Sequence, residues 1–486
     1  DPDVIRVEDT YYMVSTTMHF MPGCEILQSF DLVHWEHVTY VYETLDHTDA
    51  QQLKSGQNIY GQGMWAASLR YHEGRFYICF VANDTRKTYL YTSEKIDGPW
   101  KKQLIEGFYH DGSLLFDEDG RNYIVYGNDE IWITELNEDL TAPKKDGLHR
   151  LLVSDHKNPE LGYEGSHIQK INGYYYIFLV HSLRDRWMRT EACFYSDSLE
   201  GEFTGGDVLC DDRGYCGQGV AQGGIVDTPD GKWYAMLFQD SGAVGRIPIL
   251  LPVTWKDHFP FFGQNGHVPE EIEVHSTRPG YIYQPLVGSD DFCNGLLPRW
   301  QFNHDPDPRY YHLDALQGTY TITTREVCTE LTQAVNTLTQ RMSYPSCAAE
   351  VTVDASALKE GDVAGLCALQ GCYAAVGITK HHGKYEVLML DKKEDGILDM
   401  TEGTVVESHQ MDFRLEADFC NMKDEARCYY RVNKGDWLPI GTVHKLYFKL
   451  DHFTGCRFGL FCYAAEKTGG SACFRDFKYY DVDEIS

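Results

Sequence analysis

No two cysteines in this 486-residue chain are spaced as CxxC, and no GxSxG segment occurs. The first absence argues against a zinc ribbon. The second removes the nucleophile elbow of an α/β-hydrolase. Gly61-Gln62-Gly63 is too short for a phosphate loop and lies ahead of a strand. Nothing approaches the ~18 consecutive apolar residues of a membrane-spanning helix. The longest apolar run, Ile247 to Val253, is broken by two prolines. Positive charge is also scarce: 43 Lys and Arg face 73 Asp and Glu, a net charge of −30. Such a chain repels phosphate backbones and anionic bilayers, so neither nucleic acid nor membrane is expected as a partner. A neutral substrate suits it. No signal peptide is visible and the initiator Met is missing, so some N-terminal residues are expected to have been removed ahead of Asp1.

Against these absences stand 15 cysteines, an odd number scattered from Cys24 to Cys473. They read as buried free thiols of a reducing compartment, which places the protein in the cytoplasm in preference to outside the cell. Cys210 with Cys216, or Cys367 with Cys372, could pair if the protein is exported. Aromatic residues are abundant, with 33 Tyr, 23 Phe and 9 Trp. They favour β-structure and flat ligands such as sugar rings. His19, His110, His167 and His181 lack metal-ligand spacing and read as hydrogen-bonded wall residues, so no metal site is assigned.

One unit recurs through the first 285 residues: a polar turn followed by an aromatic-rich strand. It begins at Thr10, Gly74, Gly120, Gly173 and Gly231, as in Gly173-Tyr174-Tyr175-Tyr176-Ile177. The starts lie 64, 46, 53 and 58 residues apart, the length of a four-stranded propeller blade with generous loops. Five units predict five blades. Nine positions before each unit stand Asp1, Trp65, Asp111, Glu164 and Gln222. Each begins the strand that leads into the hairpin. In a propeller these innermost strands line the channel, so the five residues should ring one mouth.

The blade pattern stops around residues 265–290, where Pro269, Pro279, Gly280 and Pro285 mark a crossing. Beyond Ser289 short alternating strands follow, among them Thr319 to Thr323, Cys347 to Val353 and Phe458 to Tyr463, with no long helical period. The reading is all-β: a propeller over residues 1–280, then an antiparallel β-sandwich of concanavalin-like jelly-roll type over 289–486.

Three converging carboxyl groups suit glycoside hydrolysis. One protonates the leaving oxygen and another activates water or attacks directly. A third, ionised, keeps the acid protonated through like-charge repulsion. Trp65 offers a stacking platform.

The segments Asp1-Pro2-Asp3-Val4-Ile5-Arg6, Gly63-Met64-Trp65-Ala66, His110-Asp111-Gly112-Ser113-Leu114 and Tyr163-Glu164-Gly165-Ser166-His167 together resemble glycoside hydrolase family 43. The likeness is greatest to its β-xylosidases and α-L-arabinofuranosidases acting on arabinoxylan and related polymers. Ser15-Thr16-Thr17-Met18-His19-Phe20-Met21-Pro22-Gly23 resembles that subgroup's pocket-wall loop. Ser289-Asp290-Asp291-Phe292, Trp300 and the stretch from Phe453 to Phe477 resemble its sandwich domain. The resemblance implies Asp1 as general base, Glu164 as general acid and Asp111 as modulator of the acid's pKa. It also implies Trp65, Phe20, Arg246 and Gln222 as substrate-binding residues, Arg246 on the glycone hydroxyls. Asp3 rivals Asp1 for the base but reads as a solvated or turn-stabilising residue. Many family members place a histidine where Gln222 stands. Glutamine carries no charge, so no cofactor is required and a structural Ca2+ is left open.

The polar segment Thr39 to Gly61 is expected to narrow a groove into a pocket, with Asp451-His452-Phe453 approaching one side. A pocket takes a terminal sugar, which predicts an exo-acting enzyme that releases pentoses from oligosaccharide or polysaccharide chains. Base and acid roles predict inversion, with the two carboxyl groups roughly 6.5–9.5 Å apart. A non-catalytic sugar-binding propeller and a retaining fructosidase are the alternatives. The sequence does not set the oligomeric state, nor arabinofuranoside against xyloside.

Overall fold

The structure, a computed structural model, describes residues 1–481. Residues 482–486 of the expected sandwich range lie outside the described residues. The regular secondary structure is nearly all strand; its helical segments, among the described residues, are four short 3-10 turns. Five four-stranded antiparallel sheets occupy residues 3–42, 64–105, 113–154, 164–209 and 221–262. Their first strands, Asp3–Val7, Met64–His72, Ser113–Phe116, Glu164–Ile171 and Ala221–Asp227, pack together around the axis. The turn signal in each unit has a direct cause. Asn172 and Gly173 both adopt positive φ, at 51° and 84°, the two-residue hairpin geometry that matches strand twist.

Each blade is drawn from one continuous stretch of chain, so no shared strand closes the ring. Blades 1 and 5 meet instead through an apolar seam of Val4, Tyr11, Met13, Val226, Tyr234 and Met236. Arg6 reaches across it to Asp227 at 2.5 Å. Residues 273–284 then run over the seam as a strap. Tyr234 donates to the Glu273 carbonyl at 3.1 Å, the Thr277 hydroxyl to that of Asp9 at 2.6 Å, and the Phe30 amide to the Tyr283 hydroxyl at 2.9 Å.

The second half is a sandwich of a nine-stranded and a seven-stranded sheet. Phe292, Trp300, Val351, Leu366, Phe413 and Phe458 fill its core. An edge of the nine-stranded sheet is the propeller strand Phe20–Met21, paired with Gln301–Asn303. Segment 47–60 docks on the same side. The Asp305 amide donates to the Gln51 carbonyl at 2.8 Å, the Ile59 amide to His304 at 3.0 Å, and the Tyr60 hydroxyl to the Thr332 carbonyl at 2.7 Å. This insertion therefore clamps the two halves together. Beneath the clamp His19, His304 and His452 are fully buried, with the His19 ring 4.8 and 5.2 Å from the other two.

Candidate active site

Three of the five inner strands carry a register shift at the same height: Met64/Ala67, Glu164/His167 and Ala221/Gly224. Each is a bulge, which locally turns a strand and re-aims side chains. Trp65 and Gln222 sit inside their bulges and Glu164 flanks its own. Asp1 and Asp111 each precede their inner strand by two residues, and Asp111 takes φ 47°.

Asp1 is held on both oxygens. The Thr16 hydroxyl donates to Oδ2 at 2.5 Å and Arg246 Nη1 pairs with Oδ1. The Arg246 guanidinium lies between two rings, 4.5 Å from Phe238 and 4.3 Å from Phe453. Its Nε meets Asp240 at 3.3 Å, and the other Asp240 oxygen pairs with buried Arg189. Burial lowers Arg246 to about 10 and Arg189 to about 9, so both remain cations at neutral pH. Phe453 arrives from the sandwich domain. Its ring also meets Trp65 edge-on at 5.6 Å, so it joins Trp65 to Arg246.

Glu164 accepts from Asn128 Nδ2 at 2.8 Å and lies 3.4 Å from His110 Nε2. Asp111 accepts from the Gly165 amide at 3.0 Å, and the same His110 nitrogen stands 3.5 Å away. Burial raises the Asp111 pKa, and the nearby Glu164 charge adds to this while His110 opposes it. The Asp111 charge in turn pushes His110 up to about 9. Among the described residues these three form the group whose donor atoms crowd within 4.8 Å of one another. Each of the three groups can take up or give up a proton, so the trio can act as a proton-sharing cluster.

Gln222 is buried at the axis, with φ 61° and its amide donating to Glu191 at 2.7 Å. Its side chain packs against Gly165, where a Cβ would come within 2.6 Å of Gln222 Cγ. Deeper in the channel both Asp3 oxygens are taken, by the Leu69 amide and Arg70 at 2.7 Å each and by His167 at 3.2 Å. An arginine cation on that carboxylate leaves it a poor calcium ligand.

Two expectations need correction. Phe20 does not face the pocket. It has no exposed surface, its strand is lent to the sandwich, and Arg457 lies over its ring at 3.7 Å. Asp3 is not solvated; it is a buried, triply bonded channel residue. Sequence reasoning also missed Asn128, Thr16 and the second role of His110. Asn128 and Thr16 stand on no repeat offset. His110 could have been found from its place beside Asp111 at a ring position.

A five-bladed propeller that gathers Asp1, Asp111, Glu164, an arginine and a tryptophan at one mouth has the equipment of a glycoside hydrolase. The comparisons make this specific. The sequence model for glycosyl hydrolases family 43 matches residues 1–260, and that for the β-xylosidase C-terminal concanavalin A-like domain matches 289–480. The chain belongs to glycosyl hydrolases family 43, and it is a glycosidase. A β-xylosidase of Formosa agariphila is 26% identical over 544 residues, covering 99% of this chain and 87% of the relative. A non-reducing end α-L-arabinofuranosidase of Bacteroides ovatus is 25% identical over 338 residues, covering 65% of this chain and 62% of the relative. The solved structure of a bifunctional "GH43-CE" protein of Bacteroides eggerthii superposes with a TM-score of 0.91 at 41% identity. That match covers all of this chain, which spans 62% of the Bacteroides eggerthii chain.

Proposed function

We propose that this glycosidase is exo-acting and inverting, and that it releases terminal α-L-arabinofuranose or β-D-xylose from hemicellulose-derived chains such as arabinoxylan. The observation that carries the reading is Phe453. The sandwich lays this ring against both Arg246 and Trp65, which supports a cleft closed on one side at Asp1, the form a chain end would need. The relatives named β-xylosidase and arabinofuranosidase support a pentose.

The residues divide the work. Thr16 and Arg246 fix the Asp1 carboxylate, whose remaining lone pairs take a proton from the attacking water. Glu164, oriented by Asn128, gives its proton to the leaving oxygen. Asp111 supplies the neighbouring negative charge that discourages ionisation of the acid. Arg246, stacked between Phe238 and Phe453, presents its free N–H groups to glycone hydroxyls.

Proton NMR of the first-formed sugar tests the mechanism: inversion predicts the opposite anomer from the substrate, and a retained anomer overturns it. Side-by-side kcat/KM on aryl α-L-arabinofuranoside and aryl β-D-xyloside ranks the two sugars. Glu164→Ala should lose orders of magnitude on natural glycosides but far less on aryl glycosides whose leaving group needs no proton. Asp1→Ala should be nearly inactive on both, because water activation is needed in each case.

A further inference from the structure

We propose that His110 is a positioning residue for the acid: a cationic clamp between Asp111 and Glu164 that sets where activity falls off at high pH. The proposal rests on the reading of Glu164 as the acid. Its basis is geometric. One imidazole nitrogen stands within 3.4 Å of Glu164 Oε2 and 3.5 Å of Asp111 Oδ2, bridging carboxyl groups from two different blades. The backbone that carries the ring is fixed, because the Gly127 amide donates to the His110 carbonyl at 3.0 Å. It is not sealed off, since about a fifth of the side chain remains exposed. Trp65 packs 6.1 Å away, on the pocket side.

The charged groups around it leave a clear sign. Asp111 and Glu164 favour the protonated ring. Arg86, itself stacked on Phe108 at 3.9 Å, opposes it from blade 2. Arg189 and Arg246 stand further off and feel the Glu164 charge. Asn128 is neutral and shares the same Glu164 oxygen. The outcome is a ring protonated through the neutral range.

Glu164 thus has two neighbours that pull in opposite directions. Asp111 makes loss of the catalytic proton harder, and the His110 cation makes it easier. The three groups titrate as a unit, so removing either neighbour moves the apparent limits of the whole trio. His110→Asn leaves the Asn128 bond to Glu164 in place but takes away the cation. Its high-pH limb should move upward by about one pH unit, the lower end of what a close opposite charge does. Asp111→Asn should move the same limb downward. The fall in kcat should be larger on natural glycosides than on activated aryl glycosides, with KM little changed.

The experiment is the pH–rate profile of wild type, His110→Asn, His110→Lys and Asp111→Asn on one unactivated pentoside, whose leaving oxygen needs the acid's proton. Opposite shifts for the two Asn variants, with Lys returning the limb toward wild type, support the clamp. A limb that stays in place in His110→Asn, or moves the same way as in Asp111→Asn, overturns it. The wild-type protein gives a second readout that needs no variant to fold. The His110 ring protons, followed by NMR, should titrate near pH 9, and titration at or below the ordinary histidine value near 6.5 also overturns the proposal. Failure of the parent reading looks different: Glu164→Ala would then lose activity equally on good and poor leaving groups.

Discussion

Asp1 and Asp3 are two residues apart and live in different worlds. Asp1 faces the pocket, held by a hydroxyl and an arginine. Asp3 is sealed in the channel. Burial alone would raise its pKa, but Arg70 and His167 outweigh burial and hold it below the ordinary value. A carboxyl group depressed in the native state contributes stability above its unfolded pKa near 3.9, and that contribution fades as pH falls through the native value. Asp3→Asn should therefore cost about 3–5 kcal/mol at neutral pH, because Arg70 loses its buried partner. Chemical denaturation checks this, and a variant as stable as wild type would remove the channel role. The proline between the two acids and the shared offset to the hairpin turn made Asp1 legible. Burial of Asp3 was not, since its partners stand 67 and 164 residues away along the chain.

At the scale of elements, hairpin spacing revealed the blades because each turn and aromatic strand is local. The expected strands Thr319 to Thr323 and Phe458 to Tyr463 were legible for the same reason, and lie within the observed Thr319–Thr323 and Arg457–Ala464. Bulges are a property of pairing register, so nothing in one strand announces them. Phe20 shows the limit most sharply. Its two-residue strand pairs with Gln301–Asn303, far away in sequence, and no local pattern can distinguish a pocket-wall aromatic from one lent to another sheet. The loop 451–455 is the reverse case, a sandwich element that contributes to the catalytic pocket. Phe453→Ala should remove one of the two rings on Arg246 and the edge contact to Trp65, a loss of about 1 kcal/mol or more. A fall of roughly tenfold in kcat/KM on aryl pentosides is expected, carried mainly by KM. An unchanged KM would make the residue interface packing alone.

For the molecule as a whole, the buried histidines at the clamp make docking of its two halves sensitive to acid. Burial holds His19 well below the ordinary value and lowers His304 to about 3, with His452 adding to both effects. Arg457 also opposes a charge on His19, Asn303 favours one, and Tyr60 and Asp451 stand alongside. The folded protein thus binds fewer protons than the unfolded chain below pH ~6.5. Stability is fully present above that pH and declines below it, by about 1.4 kcal/mol per pH unit for each histidine that must stay neutral. Neither His19 ring nitrogen has a hydrogen-bond partner among the described residues. His19→Phe should therefore keep stability at pH 7 and flatten the loss between pH 6 and 4 by one proton. Denaturation curves across that range read the slope, and an unchanged slope would place the acid sensitivity elsewhere.

The strap over the blade 1–blade 5 seam bears on how such proteins can be recombined. Domain shuffling treats the stretch between two modules as a free joint, to be cut anywhere. Here residues 273–284 lead to the second module but fasten the first, through Asp9, Phe30 and Tyr234. A crossover placed just after the last blade strand, at Phe262, would inherit a seam without its strap. One placed after residue 284 would carry its own fastening, so the viable boundary for grafting a different C-terminal partner lies some twenty residues beyond the final blade.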